Sequence, residues 1–189
     1  IGYVKAARAL FGGEGSFGNG AAMRVAPVGL FFHDALDSEN PAALYEHARA
    51  SATVTHAHPI GVDGAAVQAH AVAQAVQLSP QEPFPEEAFT HKLVAFAQTK
   101  EMRAKIALVG ELLREEVSPR AAATRLGQSV FAHESAPFAI YAFLRHPKSF
   151  EDCLFCAALN SGDRDTVGVM ACAISGAYLG VEAIPRAWR

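Results

Sequence analysis

The chain has few cysteines, no basic cluster, no long apolar run and no strand-like alternation, and each absence removes a class of protein. Three cysteines in 189 residues are a sparse and odd-numbered set, which argues against a disulfide scaffold and for a reducing compartment. Lys and Arg total 16 against 19 Asp and Glu, a formal net charge of -3. With no basic run, the chain is not expected to bind duplex nucleic acid directly. An anionic ligand would have to be met by backbone N–H groups or by a metal ion. No stretch of about 18 apolar residues runs uninterrupted, which predicts no membrane span. Period-two alternation and a fixed internal repeat are both missing, so neither a sheet nor a solenoid is expected. The chain opens at Ile1 in ordered-looking sequence and is expected to be N-terminally incomplete, with any targeting signal illegible.

What is present is apolar and helical. At 51% hydrophobic, residues 1–189 can bury a substantial core as one domain. A helical run from Tyr3 to Leu10 is halted by Gly12 and Gly13. "AAMRVAPVGLFF" reads as a helix kinked at Pro27, and Asn40 with Pro41 begins another that ends in "THAH". His56 and His58 there have no partner at zinc-ligand spacing, and each is read first as a helix-end or core histidine. A helix from near Pro59 carries Asp63 in its first turns, by the positive end of the dipole. Three prolines between Ser79 and Pro85 mark a surface loop open to variation, before two amphipathic helices. Ser118 and Pro119 start a further helix that Gly127 stops, and "SAPFAIYAFLRH" and "SFEDCLFCAALN" follow as helices. Cys153 and Cys156, with no preceding strand, are read as buried thiols. The whole reads as an all-α bundle.

Two segments carry chemistry. In "NSGDRDTVGVMACAISGAYLG", Asp163 and Asp165 converge only if their turn is not yet helical, because two residues of helix rotate by about 200°. Gly162 permits such a turn, and Asp165 or Thr166 is placed to cap the helix. Val167, Met170, Ala171, Ile174 and Tyr178 form its apolar stripe, and Gly168, Ala173, Gly176 and Ala177 allow close approach. Two carboxylates and a hydroxyl suit a hard cation. An EF-hand fails, because Ile174 stands where that loop needs its glutamate. One Asp capping and the other solvated is an equally open reading.

The second segment is "FGGEGSFGNG", Phe11 to Gly20, whose amides can approach a phosphate and whose Phe11 and Phe17 can sandwich a flat ring. A flexible turn is the plainer alternative. Gly13, Gly15 and Gly18 spell the dinucleotide fingerprint, but they follow a helix rather than a strand, which disfavours an oxidoreductase.

Together "GSFGNGAAMRVAP" and "SGDRDTVGVMACAISGAYLG" resemble the ADP-ribosylglycohydrolase family. "SATVTHAHPIGVDGAAVQAHAV", "HESAPFAIYAFLR" and "GVEAIPRAW" resemble it in order and spacing too, and only the region 77–99 is loose. The resemblance implies an all-α orthogonal helical bundle with a binuclear Mg²⁺ centre. It also implies cleavage of ADP-ribose from serine-linked proteins and of poly(ADP-ribose), with ADP-ribose released. It assigns Asp163, Asp165 and Thr166 to the metal and Glu14, Gly15, Ser16, Phe17, Gly18, Asn19 and Gly20 to the diphosphate and ribose. Phe11 and Phe17 fall around the adenine, and His56 and Val130 fall at substrate contacts. A second metal half-site on a "TDD"-like motif and a flap glutamate are implied earlier in the family's sequence, and neither is in this chain, so no catalytic residue is assigned here. Phe17 stands where Tyr is found in the family, and Arg164 stands between the carboxylates where a small residue is usual, so it points to solvent, touches phosphate or crowds the site. A monomer of the cytoplasm and nucleus, or of the mitochondrial matrix, is the implied setting. Alone, the chain is expected either to form part of the hydrolase or to bind ADP-ribose without turnover.

Overall fold

The computed structural model describes residues 2–37, 40 and 42–189. Ten α-helices occur among the described residues, with no strand. They are α1 (Tyr3–Ala9), α2 (Ala26–Phe31), α3 (Ala42–Thr53), α4 (Pro59–Gln77), α5 (Glu86–Phe96), α6 (Lys100–Arg114), α7 (Pro119–Leu126), α8 (Ala132–Arg145), α9 (Phe150–Asn160) and α10 (Arg164–Leu179). The all-α orthogonal bundle expected from the sequence is what forms. None of these helices is long and apolar enough to cross a membrane.

The bundle is built around α4. His58 precedes it in extended backbone, its Nδ1 accepting the Ile60 N–H at 3.1 Å, and Pro59 fills the first turn, where an N–H would have no acceptor. Every residue from Gly61 to Ala75 is buried, since α2, α3, α5, α6, α8 and α10 all pack on it. One apolar cluster joins α4 to α2 and α3 through Val25, Leu44 and Tyr45. A larger one joins it to α5–α10 through Phe89, Met102, Phe138, Met170 and Ile174.

Asp63 was expected near the dipole; its carboxylate instead ties α4 to the α5–α6 turn. It is fully buried and accepts from Gln98 N at 3.0 Å, Thr99 N at 2.7 Å, Thr99 Oγ1 at 2.6 Å and Tyr45 Oη at 3.2 Å. A buried charge persists only with such a set of donors. Burial, and then the Asp63 carboxylate, pushes the Tyr45 phenol well above its ordinary range.

Several boundaries differ from expectation. The segment read as one kinked helix is a 3₁₀ turn at Ala22–Arg24 followed by α2, and Pro27 lies in the first turn of α2 rather than at a kink. α8 starts at Ala132 rather than Ser135, with Pro137 inside it. Asn40 is followed by Pro41, which lies outside the described residues, and α3 begins at Ala42. α7 runs as expected, with Ser118 Oγ accepting Ala121 N at 3.3 Å and Gly127 ending it at φ 107°. The proline loop is tethered: Lys148 Nζ donates to the carbonyls of Pro80 and Glu82, and Tyr178 Oη donates to that of Ser79.

Candidate functional site

α10 begins two or three residues earlier than a cap at Asp165 or Thr166 would place it. Asp163 occupies the cap position, with φ −113° and ψ 78°, while Asp165 lies in the first turn and Thr166 is buried. The expected stripe of Val167, Met170, Ala171, Ile174 and Tyr178 is buried as a set. Gly168 meets α9 closely, since a Cβ there would lie 3.2 Å from Leu154 Cδ1, but Gly176 has ordinary spacing to Phe150 and needs no glycine. The two carboxyls do converge, because the cap residue is off the helix. The Thr166 backbone N–H, and then the Asp163 side chain, hold the Asp165 carboxyl below the usual range. Arg164 is exposed and lines an apolar groove between α9 and α10 with Leu154 and Val169.

The glycine loop follows α1 through a 3₁₀ turn at Phe11–Gly13. Gly15 has φ +79°, and a Cβ on it would lie 2.8 Å from His58 N, so both backbone and space demand glycine. The cradle is narrower than expected. The amides of Gly13 and Gly15 both donate to Leu10 O, Glu14 N donates to Phe11 O, and Gly18 N is taken by Ser16 Oγ at 3.3 Å. Those of Ser16 and Phe17 have no such partner among the described residues.

Phe11 and Phe17, expected to sandwich a flat ring, differ in their surroundings. Phe17 is paired with Phe131 at 4.6 Å and His58 at 5.2 Å between ring centroids, whereas Phe11 is 68% exposed. Sequence reasoning missed Phe131 and His58, and only the Pro59 that makes His58 a cap hinted at the latter. His56 lies against the loop, since a Cβ on Gly20 would be 2.9 Å from its Nε2. Burial, and then the Arg24 guanidinium, lower its pKa. Val130 contributes its carbonyl, accepting Asn19 N at 2.9 Å, while its side chain is exposed; Glu14 is exposed as well.

The two segments meet. Asn19 is buried, and its Nδ2 donates to Asp163 Oδ2 at 2.7 Å. Residues 127–132 brace both sides. Ala132 N donates to Phe17 O at 3.0 Å, making an isolated antiparallel bridge at Gly18 and Phe131. Gly162 lies so close to Gln128 that a Cβ would come within 2.1 Å of its carbonyl oxygen. The space walled by Gly127, Ser135, Ser161 and Asp163 leaves no room for water, and Ser161 Oγ is buried there without a hydrogen-bond partner among the described residues.

A model of the ADP-ribosylglycohydrolase family matches residues 2–189. The chain is 39% identical over 208 residues to ADP-ribosylhydrolase ARH3 of Mus musculus, covering 97% of this chain and 55% of that protein. The chain belongs to the ADP-ribosylglycohydrolase family. The ARH3 of Homo sapiens is 36% identical, again over 97% of this chain and over 56% of its own length. Among solved structures, an ADP-ribosylglycohydrolase-related protein complex aligns with a TM-score of 0.68 at 25% identity, over 98% of this chain and 60% of that one. The chain thus spans a little over half the length of the curated family members it matches.

The chemistry of the acidic turn can be weighed against a metal. Among the described residues, no three of His, Cys, Asp or Glu gather as a ligand cluster. Asp163, Asp165 and the Thr166 hydroxyl nevertheless offer oxygen donors alone. Such a set fits one side of a hard cation, which takes about six oxygen ligands, and suits zinc or copper poorly.

Proposed function

We propose that this chain forms the substrate cradle and one metal half-site of a Mg²⁺-dependent ADP-ribosyl hydrolase. We read residues 1–189 as part of a single domain of that kind. Its substrates on this reading are proteins bearing ADP-ribose on serine, and poly(ADP-ribose), with ADP-ribose as product. It works as a monomer inside the cell, in the cytoplasm, nucleus or mitochondrial matrix. One observation carries the reading: the 2.7 Å bond from Asn19 to Asp163, which sets the glycine loop beside the acidic turn. The names of the relatives, ADP-ribosylhydrolase ARH3, support it.

The residues divide the work by chemistry. The free amides of Ser16 and Phe17 meet diphosphate oxygens, which suits a polyanion on an acidic protein. The ring of Phe17, braced by Phe131 and His58, offers a face to adenine, and Phe11 stands free to cover it. Asn19 holds the Asp163 carboxylate in one orientation, so it is preset rather than mobile. Asp163, Asp165 and the Thr166 hydroxyl would hold a hard cation from one side, and such an ion would supply charge stabilisation beside the bound ribose. Arg164 lines the α9–α10 groove together with Asp165.

A second reading is binding without turnover, favoured by the incomplete ligand cluster. Calorimetric titration of ADP-ribose with and without Mg²⁺, with Asp163→Asn and Phe17→Ala beside it, tests the site. Binding that requires Mg²⁺ and is weakened by both changes is expected. A folded chain that binds no ADP-ribose would overturn the assignment. Mg²⁺-dependent release of ADP-ribose from a serine-linked peptide by this chain would exclude the binding-only reading.

A further inference from the structure

Arg24 lies outside the glycine loop, yet its guanidinium is committed to the loop and to the α3–α4 turn together. Nη1 donates to Gly20 O at 3.0 Å, and Nη2 donates to Ser51 O at 3.2 Å and to Thr55 Oγ1 at 2.6 Å. Thr55 Oγ1 in turn lies 2.8 Å from His56 Nδ1. A hydroxyl has one proton to give. Its possible acceptors are His56 Nδ1 at 2.8 Å and Ala52 O at 3.5 Å, and the nearer wins. The charged donor already on the oxygen polarises the O–H and makes it a stronger donor still. His56 Nδ1 is therefore an acceptor, and the ring proton resides on Nε2, which would lie 2.9 Å from a Cβ on Gly20 and 3.7 Å from one on Gly18.

We propose that Arg24 and Thr55 are positioning residues that lock His56 as a neutral imidazole with its Nε2–H aimed across Gly18–Gly20, where it donates to an oxygen of the bound ADP-ribose. This deepens the function proposed above and rests on it for the identity of the ligand. The guanidinium also disfavours an imidazolium beside it, consistent with the lowered pKa of His56. A fixed neutral donor selects an acceptor oxygen by direction rather than by charge, and so helps set which oxygen of the ligand faces the acidic turn.

The test uses Thr55→Val, which keeps the shape and removes the hydroxyl, and Thr55→Ser, which restores it. Thr55 is exposed, so neither change threatens the fold. Nitrogen-15 NMR of the His56 ring at neutral pH should show Nε2 protonated and Nδ1 bare in the protein and in Thr55→Ser, and a mixture of tautomers in Thr55→Val. ADP-ribose titrated in the presence of Mg²⁺ should bind more weakly to Thr55→Val by the reciprocal of its remaining Nε2–H fraction, about twofold for an even mixture, and normally to Thr55→Ser. An Nδ1–H tautomer in the protein, or a Thr55→Val spectrum unchanged from it, would overturn the relay while leaving ADP-ribose binding intact. The expected tautomers in a chain that binds no ADP-ribose would instead overturn the functional reading, and the donor role with it.

Discussion

Breaking the contact between Asn19 and Asp163 gives the sharpest test of how the two segments are joined. The bond is charge-assisted and 2.7 Å long, and Asn19 is buried. A hydrogen bond to a charged group contributes about 1.5–3 kcal/mol, and the half-exposed Asp163 discounts this by solvent screening to about 1–2 kcal/mol. Asn19→Ala and Asp163→Ala each remove the bond, whereas the double variant removes it only once. Urea unfolding of the four proteins should therefore give a coupling energy of about 1–2 kcal/mol, with unchanged slopes. Additivity within about 0.5 kcal/mol would show that the contact does not hold the segments together, and the argument for a joined site would fail.

Other outcomes follow from the same geometry. Asp63→Ala strands the amides of Gln98 and Thr99 and should cost about 3–5 kcal/mol in chemical denaturation, far more than loss of an exposed carboxylate. Burial, and then the Lys92 ammonium, hold His70 down to about 4. An unfolded histidine titrates near 6.5, so as pH falls from about 6.5 to about 4 only the unfolded chain gains the proton, and stability should drop by up to about 3 kcal/mol. His70→Phe, which preserves the stacking on Phe96, should flatten that slope; an equal slope in both proteins would refute the assignment. Gly162→Ala forces a Cβ into the Gln128 carbonyl and should lower both the melting temperature and ADP-ribose affinity, read by calorimetry. Cys153 and Cys156 are free thiols, the first raised well above its ordinary range by burial and the second pushed up to about 11. A disulfide reagent should label them only as the chain unfolds.

Local chemistry was legible, and distant partners were not. The span of α7 could be read because Ser118, Pro119 and Gly127 act within one turn of themselves. The stripe of α10 was equally plain, since its period is a property of neighbouring residues. The start of that helix was misplaced because an Asp can cap or follow a cap, and Asp163, at the cap position, makes no side-chain cap bond but accepts from Asn19, 144 residues away. Phe17 was read with Phe11 as the two sides of a ring site, and its neighbour Phe131, which reaches it from the start of α8, was not foreseen. Asp63 was legible as an acid in a first turn, yet its donors come from the α5–α6 turn. The loop amides counted as free were partly used up by Leu10 O, a closure set by positive-φ glycines whose hydrogen bonds composition does not reveal.

The long separation between Asn19 and Asp163 has a consequence for the order in which the protein is made. A ribosome delivers the glycine loop first and the acidic turn 144 residues later, after the helices between them have emerged. The brace at residues 127–132 is delivered late as well, and its hydrogen bonds to Phe17 and Asn19 close a loop of more than a hundred residues. Such closures come with the last consolidation of a fold, because their entropy is repaid only once the intervening core has packed. Newly made chains therefore pass through a period with a helical core and no assembled site. The glycine loop and the acidic turn stand side by side only after α10 has docked.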